Sequence, residues 1–368
     1  MRPAFSSTRQ AAGFVLLLLA LLLAPALAGK KILPSREAIY SSIWWENGDF
    51  PYMDGEIFRE KSDLDIVFMG SSHIWAAFDA PYVQDQLGKQ LGRPAVVRTF
   101  GWGGAGYDEI YFVAQDLLEH RRVRLLVIDD DFNESDQPHM LAPRMFRFGD
   151  NALALDGLSP SVQAAYYFGS IMGLPRNLLA LVHTNLPADM NATNYWQTRS
   201  HAVNFADNLG AFTARAGYRI TPASEPDPFV NYTPDTGVQP SAVCIGSPAT
   251  QTNFLFFENR RFPPFTQLHF IQKLDELALK HGCKLVVVHI PTFEERRATY
   301  ISMPEAWHRL QPNVTTVGIA PATLFQGLTD DQIRELYSDD VHLNENGQKY
   351  FTTVMTPTLL KLYESQNP

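Results

Sequence analysis

Two short segments hold the residue types that could do chemistry together. Gly70-Ser71-Ser72 follows the apolar run Leu64-Asp65-Ile66-Val67-Phe68-Met69, which reads as a buried β-strand, so a serine hydroxyl lies just past a strand end. About 270 residues later, Asp339-Asp340-Val341-His342 offers an imidazole with a carboxylate three positions before it. A serine hydroxyl becomes a nucleophile at neutral pH beside a base, and the base needs an acid to hold its tautomer. The two segments supply all three roles, the equipment of acyl transfer through an activated serine. Taken alone, Ser72 reads as a helix N-cap and Asp339-Asp340 as a solvated acidic turn.

Two further segments extend the pattern. Thr99-Phe100-Gly101-Trp102-Gly103-Gly104 follows a second apolar run at Ala95-Val96-Val97. A third run, Leu125-Leu126-Val127-Ile128, leads into Asp129-Asp130-Asp131-Phe132-Asn133-Glu134. With these four blocks in order, the chain resembles the SGNH hydrolases, also called the GDSL family. The matched blocks lie within residues 63–135 and 284–350, about 140 of the 368 residues. The resemblance implies a flavodoxin-like three-layer αβα sandwich with a mostly parallel sheet. It puts the nucleophile at Ser72, the acid–base pair at Asp339 and His342, and the oxyanion donors at the Ser72 N–H, Gly104 and Asn133. No metal or other cofactor is implied. Two blocks depart from the family pattern. Gly-Ser-Ser stands where Gly-Asp-Ser is usual, which leaves Ser71 as a rival nucleophile. Asp131-Phe132-Asn133-Glu134 stands where Gly-x-Asn-Asp is usual.

The elements that must position these residues alternate strand and helix. Residues 78–91 read as a helix, with Asp79 as N-cap and Pro81 in the first turn. Residues 107–119 place Ile110, Val113, Ala114, Leu117 and Leu118 at helical spacing. Residues 123–128 form a strand, and the short run Arg121-Arg122-Val123-Arg124 reads as a solvated turn before it. A helix opens at Pro263-Pro264 and stops at Gly282; strands follow at 284–290 and 314–319; a last helix covers 345–363, interrupted at Pro357. Such alternation predicts an α/β fold with a parallel sheet covered on both faces, whose site lies outside the carboxyl ends of the strands.

Residues 1–28 read as a secretory signal: Arg2 and Arg9 without acids, the Leu/Ala stretch from Gly13, and the small-residue ending Ala26-Leu27-Ala28. A secreted or periplasmic protein is expected, with an uncleaved membrane anchor as the alternative; the leader has no Cys for lipoprotein processing. Without these residues 28 basic face 39 acidic side chains, a net charge of −11. Nucleic-acid binding draws on Lys and Arg neutralising phosphates, so this balance argues against it. Cys244 and Cys283 suffice for one disulfide in an oxidising compartment, which would clamp residues 141–262 onto the core; two buried thiols are the other reading.

The organisation expected is a leader at 1–28, an aromatic-rich lead-in at 29–60, a first core half at 61–140, an insertion or cap at 141–262 and a second core half at 263–368. The insertion is rich in Pro, Asn, Thr and aromatics and lacks a clear period. Tyr195, Trp196, Phe254, Phe256 and Phe257 could stack on sugar rings or pack the insertion's own core. His73 and His289 rank below His342 as catalytic residues, and the run Asp129-Asp130-Asp131 lacks the further ligands of a metal site. The function expected is an exported esterase acting on an acylated carbohydrate or other ester. An O-acyltransferase with the same triad is the runner-up, because Gly-Ser-Ser-His in an exported chain is similar to the SGNH-like domains of envelope polysaccharide acetylation systems, with which the protein could associate. A non-catalytic carbohydrate-binding or scaffold protein is the third reading.

Overall fold

The computed structural model describes residues 5, 7–27, 35–43, 50–131, 137–146, 152–180, 199–201, 220–222, 238, 240–246, 253–257, 265–309 and 314–365. The chain first forms helices α1 (Thr8–Leu27), α2 (Arg36–Ser42) and α3 (Phe50–Asp54). Then come β1 (Leu64–Gly70), α4 (Ser72–Ala77), α5 (Ala80–Leu91), β2 (Val97–Gly101), α6 (Tyr107–His120) and β3 (Val123–Asp129). The middle holds α7 (Ala142–Met145), α8 (Pro160–Ala180), β4 (Arg199–His201), β5 (Ile220–Pro222), β6 (Cys244–Gly246) and β7 (Phe254–Phe257). The remainder runs α9 (Phe265–His281), β8 (Lys284–Val288), β9 (Ile301–Pro304), α10 (Glu305–Arg309), β10 (Thr315–Gly318), α11 (Pro321–Leu324), α12 (Asp330–Arg334) and α13 (Glu345–Glu364). Among the described residues no helix is long and apolar enough to cross a membrane.

The architecture is α/β. Among the described residues six strands form one sheet in the order β2-β1-β3-β8-β10-β6. The first five are parallel, and only the edge strand β6 runs antiparallel, against β10. A parallel sheet needs both faces covered, so its strands are apolar on both sides. β1 is buried along its whole length. Val67, Met69, Leu126, Ile128, Leu285 and Val287 join the apolar cluster that contains α6 and α9. Their alternates Ile66, Phe68, Leu125, Val127, Val286 and Val288 join the cluster of α4, α5 and α13. This division of the sheet between two helix layers is consistent with a three-layer sandwich.

Several expectations meet local differences. Asp79 caps α5 by accepting from the Tyr82 N–H at 2.9 Å, but a separate short helix, α4, precedes it. Helix α13 is not interrupted: it passes through Pro357. A mid-helix proline removes one hydrogen bond and costs about 3 kcal/mol. Burial of Val354, Met355, Leu359, Leu362 and Tyr363 around it opposes that cost. Arg121 is not in a solvated turn. Its side chain is fully buried and donates to Glu56 Oε2 at 2.6 Å and to the Ser62 carbonyl at 2.7 Å.

Cys244 and Cys283 are both free. The topology explains why. Cys244 pairs with Gly318 at the carboxyl end of β10, while Cys283 precedes the amino end of β8. β8 and β6 flank β10, so the two thiols sit two strands apart, about 10 Å laterally. A disulfide needs Cα atoms within about 7 Å. Burial pushes the Cys283 thiol up to about 12, so it stays protonated.

Described parts of the segment 141–262 contribute to the same core. Ala142, Met145, Val162 and Tyr166 belong to the cluster of α6 and α9, and β7 pairs with β9. Phe254 is buried and stacks on Phe256, whereas Phe257 is partly exposed. Tyr195 and Trp196 lie outside the described residues. The lead-in is also integral: Tyr40, Phe50, Tyr52, Met53 and Ile57 are buried in that cluster.

Glu56 is the electrostatic anchor of the lead-in. Its carboxylate accepts from Arg98 Nε at 2.8 Å and from Arg121 Nη1 at 2.6 Å. Removing one partner of a buried pair leaves the other charge uncompensated, typically at about 3–5 kcal/mol. Glu56→Ala should therefore lower the unfolding free energy by that amount, read as a lower denaturant midpoint at unchanged slope. A loss below about 1 kcal/mol would show that the lead-in is held by its apolar contacts alone.

Candidate active site

The site begins where β1 ends. Gly70 pairs with Gly101 of β2, and Met69 with Ile128 of β3, so three strand ends lie side by side. Successive strands part to opposite sides here, leaving a crevice at their carboxyl ends. Gly70 has φ +155°, and a Cβ there would meet Asp129 Oδ1 at 2.6 Å. Glycine thus lets the buried Asp129 carboxyl approach the backbone.

Ser71 is committed to structure. As N-cap of α4 its Oγ accepts from the His73 N–H at 3.1 Å and donates to Asp129 Oδ2 at 2.5 Å. The Ser71 N–H donates to the same oxygen at 3.1 Å. Ser72, the first residue of α4, points elsewhere. Its Oγ lies 2.8 Å from His342 Nε2. His342 Nδ1 lies 2.7 Å from Asp339 Oδ2. The structure thus brings together Ser72, His342 and Asp339, while the Ser71 hydroxyl is bonded to Asp129.

The acid is held by its own loop. Asp339 Oδ1 accepts from the backbone N–H groups of Val341 at 2.8 Å and His342 at 2.7 Å. The His342 carbonyl accepts from the Ser338 N–H and hydroxyl, closing the turn. Burial pushes the Asp339 carboxyl up, but the bonds from the His342 ring and the two N–H groups outweigh it and hold it below the usual carboxylate range. An ionised Asp339 places the imidazole proton on Nδ1 and leaves Nε2 free to accept from Ser72 Oγ–H. Asn344 then caps α13 by accepting from the N–H groups of Asn346 and Gly347.

The neighbouring groups differ in kind. His73 is buried with its ring edge against His342, centroids 5.6 Å apart, and among the described residues its Nε2 has no hydrogen-bond partner. Burial lowers its pKa, so it stays neutral. His289 is buried just past β8 and its Nδ1 lies 2.7 Å from Asp130 Oδ2. Burial, then the charge of Asp131, push Asp129 up to about 8. Among the described residues no three His, Cys, Asp or Glu side chains are grouped to hold a metal ion.

Gly104 lies three residues past β2 at φ +87°, a conformation glycine adopts freely. Asn133 lies outside the described residues. Sequence motifs did not point to His139, Gln348 or Thr352, which the structure places around α4 and the glycine turn. No distinctive spacing marks them; only their partners in space do. No protein-family model matches the chain, and no curated protein matches it.

The high position of Asp129 has a measurable consequence. An unfolded Asp releases its proton near pH 3.9. The folded protein holds that proton up to about pH 8. Between these values the folded state binds more protons, so this group's contribution to stability falls as pH rises. Asp129→Asn removes the titration. Melting temperatures at pH 5 and 8.5 should therefore move in favour of the variant relative to wild type at the higher pH. A difference that stays constant would show that Asp129 does not titrate in this window.

Proposed function

We propose that this protein is an exported serine esterase on the SGNH/GDSL fold, hydrolysing an O-acetyl or other acyl ester on a carbohydrate. The observation that carries the reading is the relay of 2.8 Å from Ser72 Oγ to His342 Nε2 and 2.7 Å from His342 Nδ1 to Asp339. A carbohydrate-binding scaffold has no chemical need for that alignment. The leader, the resemblance of four sequence blocks and the strand order support the export, the fold and the substrate class. A secreted or periplasmic location and contact with an envelope polysaccharide system follow from the same reading.

In the first half-reaction Ser72 Oγ bonds to the ester carbonyl carbon as its proton passes to His342 Nε2. Asp339 stabilises the imidazolium. The carbonyl oxygen becomes an oxyanion, for which the Ser72 and Gly104 N–H groups and Asn133 are the donors. The bond to the alcohol then breaks, and the leaving alcohol takes the proton from Nε2. Water repeats the sequence on the acyl-serine, yielding the carboxylic acid and free Ser72. If a sugar hydroxyl replaces water, the same steps transfer the acyl group.

Ser72→Ala should reduce p-nitrophenyl acetate turnover by about 10⁴-fold or more, as removal of a catalytic serine does elsewhere. Ser71→Ala removes a helix cap, costing about 1 kcal/mol of stability, and should keep most of the turnover. Equal losses in both variants would overturn the assignment of Ser72. Repeating the assay with an acceptor oligosaccharide separates the chemistries: acylated sugar in place of free acetate identifies a transferase.

A further inference from the structure

His139 ties the glycine turn to its surroundings through its backbone N–H and both ring nitrogens. It is buried, and its backbone N–H donates to Asp108 Oδ2 at 2.8 Å. Its Nδ1 accepts from the Leu141 N–H at 3.3 Å. Its Nε2 lies 3.2 Å from the Gly103 carbonyl oxygen. A nitrogen that accepts from a backbone N–H carries no proton, so the proton of a neutral imidazole is on Nε2. His139 therefore donates to Gly103. Burial lowers the pKa of this histidine, in keeping with the neutral ring.

The Gly103 carbonyl and the Gly104 N–H are opposite ends of one peptide unit. In a trans peptide they point in opposite directions. A donor on the carbonyl therefore fixes where the N–H points, and polarises it as a donor. The turn is shaped around the ring. A Cβ on Gly104 would meet His139 Nε2 at 2.9 Å, and one on Gly106 would meet His139 Cβ at 2.6 Å. Asp108 Oδ2 also accepts from Tyr166 Oη at 2.6 Å, so α8 supports the same carboxylate.

We infer that His139 is a positioning residue that aims and polarises the Gly103–Gly104 peptide, so that the Gly104 N–H is ready for the oxyanion formed on the ester carbonyl. The inference rests on the esterase reading above. His139 touches no reacting atom and acts through the peptide. The role needs a donor at the place of Nε2. A histidine serving only to pack the turn, or to hold Leu141, needs none.

Three variants separate these roles. In His139→Gln the side-chain amide NH₂ replaces the Nε2–H. In His139→Asn the amide oxygen replaces Nδ1 but nothing reaches Gly103. His139→Ala removes both. Loss of an oxyanion donor costs about a hundredfold or more, and loss of its support should cost about tenfold. With p-nitrophenyl acetate, Asn and Ala should lower kcat about tenfold with KM unchanged, and Gln should stay near wild type. Unchanged kcat in all three, a loss confined to KM, or Gln no better than Asn would overturn the inference. A second readout uses wild type alone. A phosphonate bonded to Ser72 sets an oxyanion at the Gly104 N–H, and the His139 Nε2–H resonance should shift on labelling; an unmoved resonance overturns the inference. If wild type neither turns over the ester nor takes the phosphonate at Ser72, the esterase reading fails, and this one with it. Wild-type turnover with indifferent His139 variants overturns His139 alone.

Discussion

The carboxyl end of α4 is completed by side chains of α13, and the site depends on that junction. α4 has six residues, too few to persist as a helix alone. Gln348 Nε2 donates to the carbonyls of Trp75 and Phe78, and Thr352 Oγ donates to that of Ala77. Thr352 Oγ also accepts from the Asp79 N–H at the entry to α5. Ser72 opens α4, and His342 lies three residues ahead of α13. One set of hydrogen bonds therefore fixes both the helix that bears Ser72 and the helix that follows His342.

Two carboxyl groups beside the site are driven in opposite directions. Asp339 is partly exposed and its oxygens accept three hydrogen bonds from its own loop, which hold its carboxyl below the usual carboxylate range. Asp129 is fully buried and its pKa is raised to about 8. A protonated Asp129 can hold the Ser71 cap without setting a full negative charge at the start of α4. Environment, rather than residue type, assigns the two roles.

Much of the frame is legible in the sequence because burial on both faces leaves a strong mark. The apolar runs at 64–69, 125–128 and 285–288 become β1, β3 and β8, and the helical stripe at 107–119 becomes α6. What escapes has physical reasons. α4 is buried all round and shorter than two turns, so it offers no period to read. Arg121 looks like a surface charge until Glu56, 65 residues away, arrives beside it. β6 has three residues and gains its meaning only from the edge of β10. His139 has no motif because its partners are a carbonyl, an N–H and Asp108, none of them adjacent in a pattern. Ser72, Asp339 and His342 stood out because their chemistry is rare in combination.

The separation of 270 residues between Ser72 and His342 also bears on synthesis. A ribosome delivers β1, α4, β2 and β3 long before the loop that carries His342. The nascent hydroxyl is then an ordinary alcohol, without an imidazole to take its proton. The Ser72–His342 contact forms only when the later segment docks and α13 closes over α4. On the esterase reading proposed above, a chain still being made is thereby harmless to the esters of the cell that produces it.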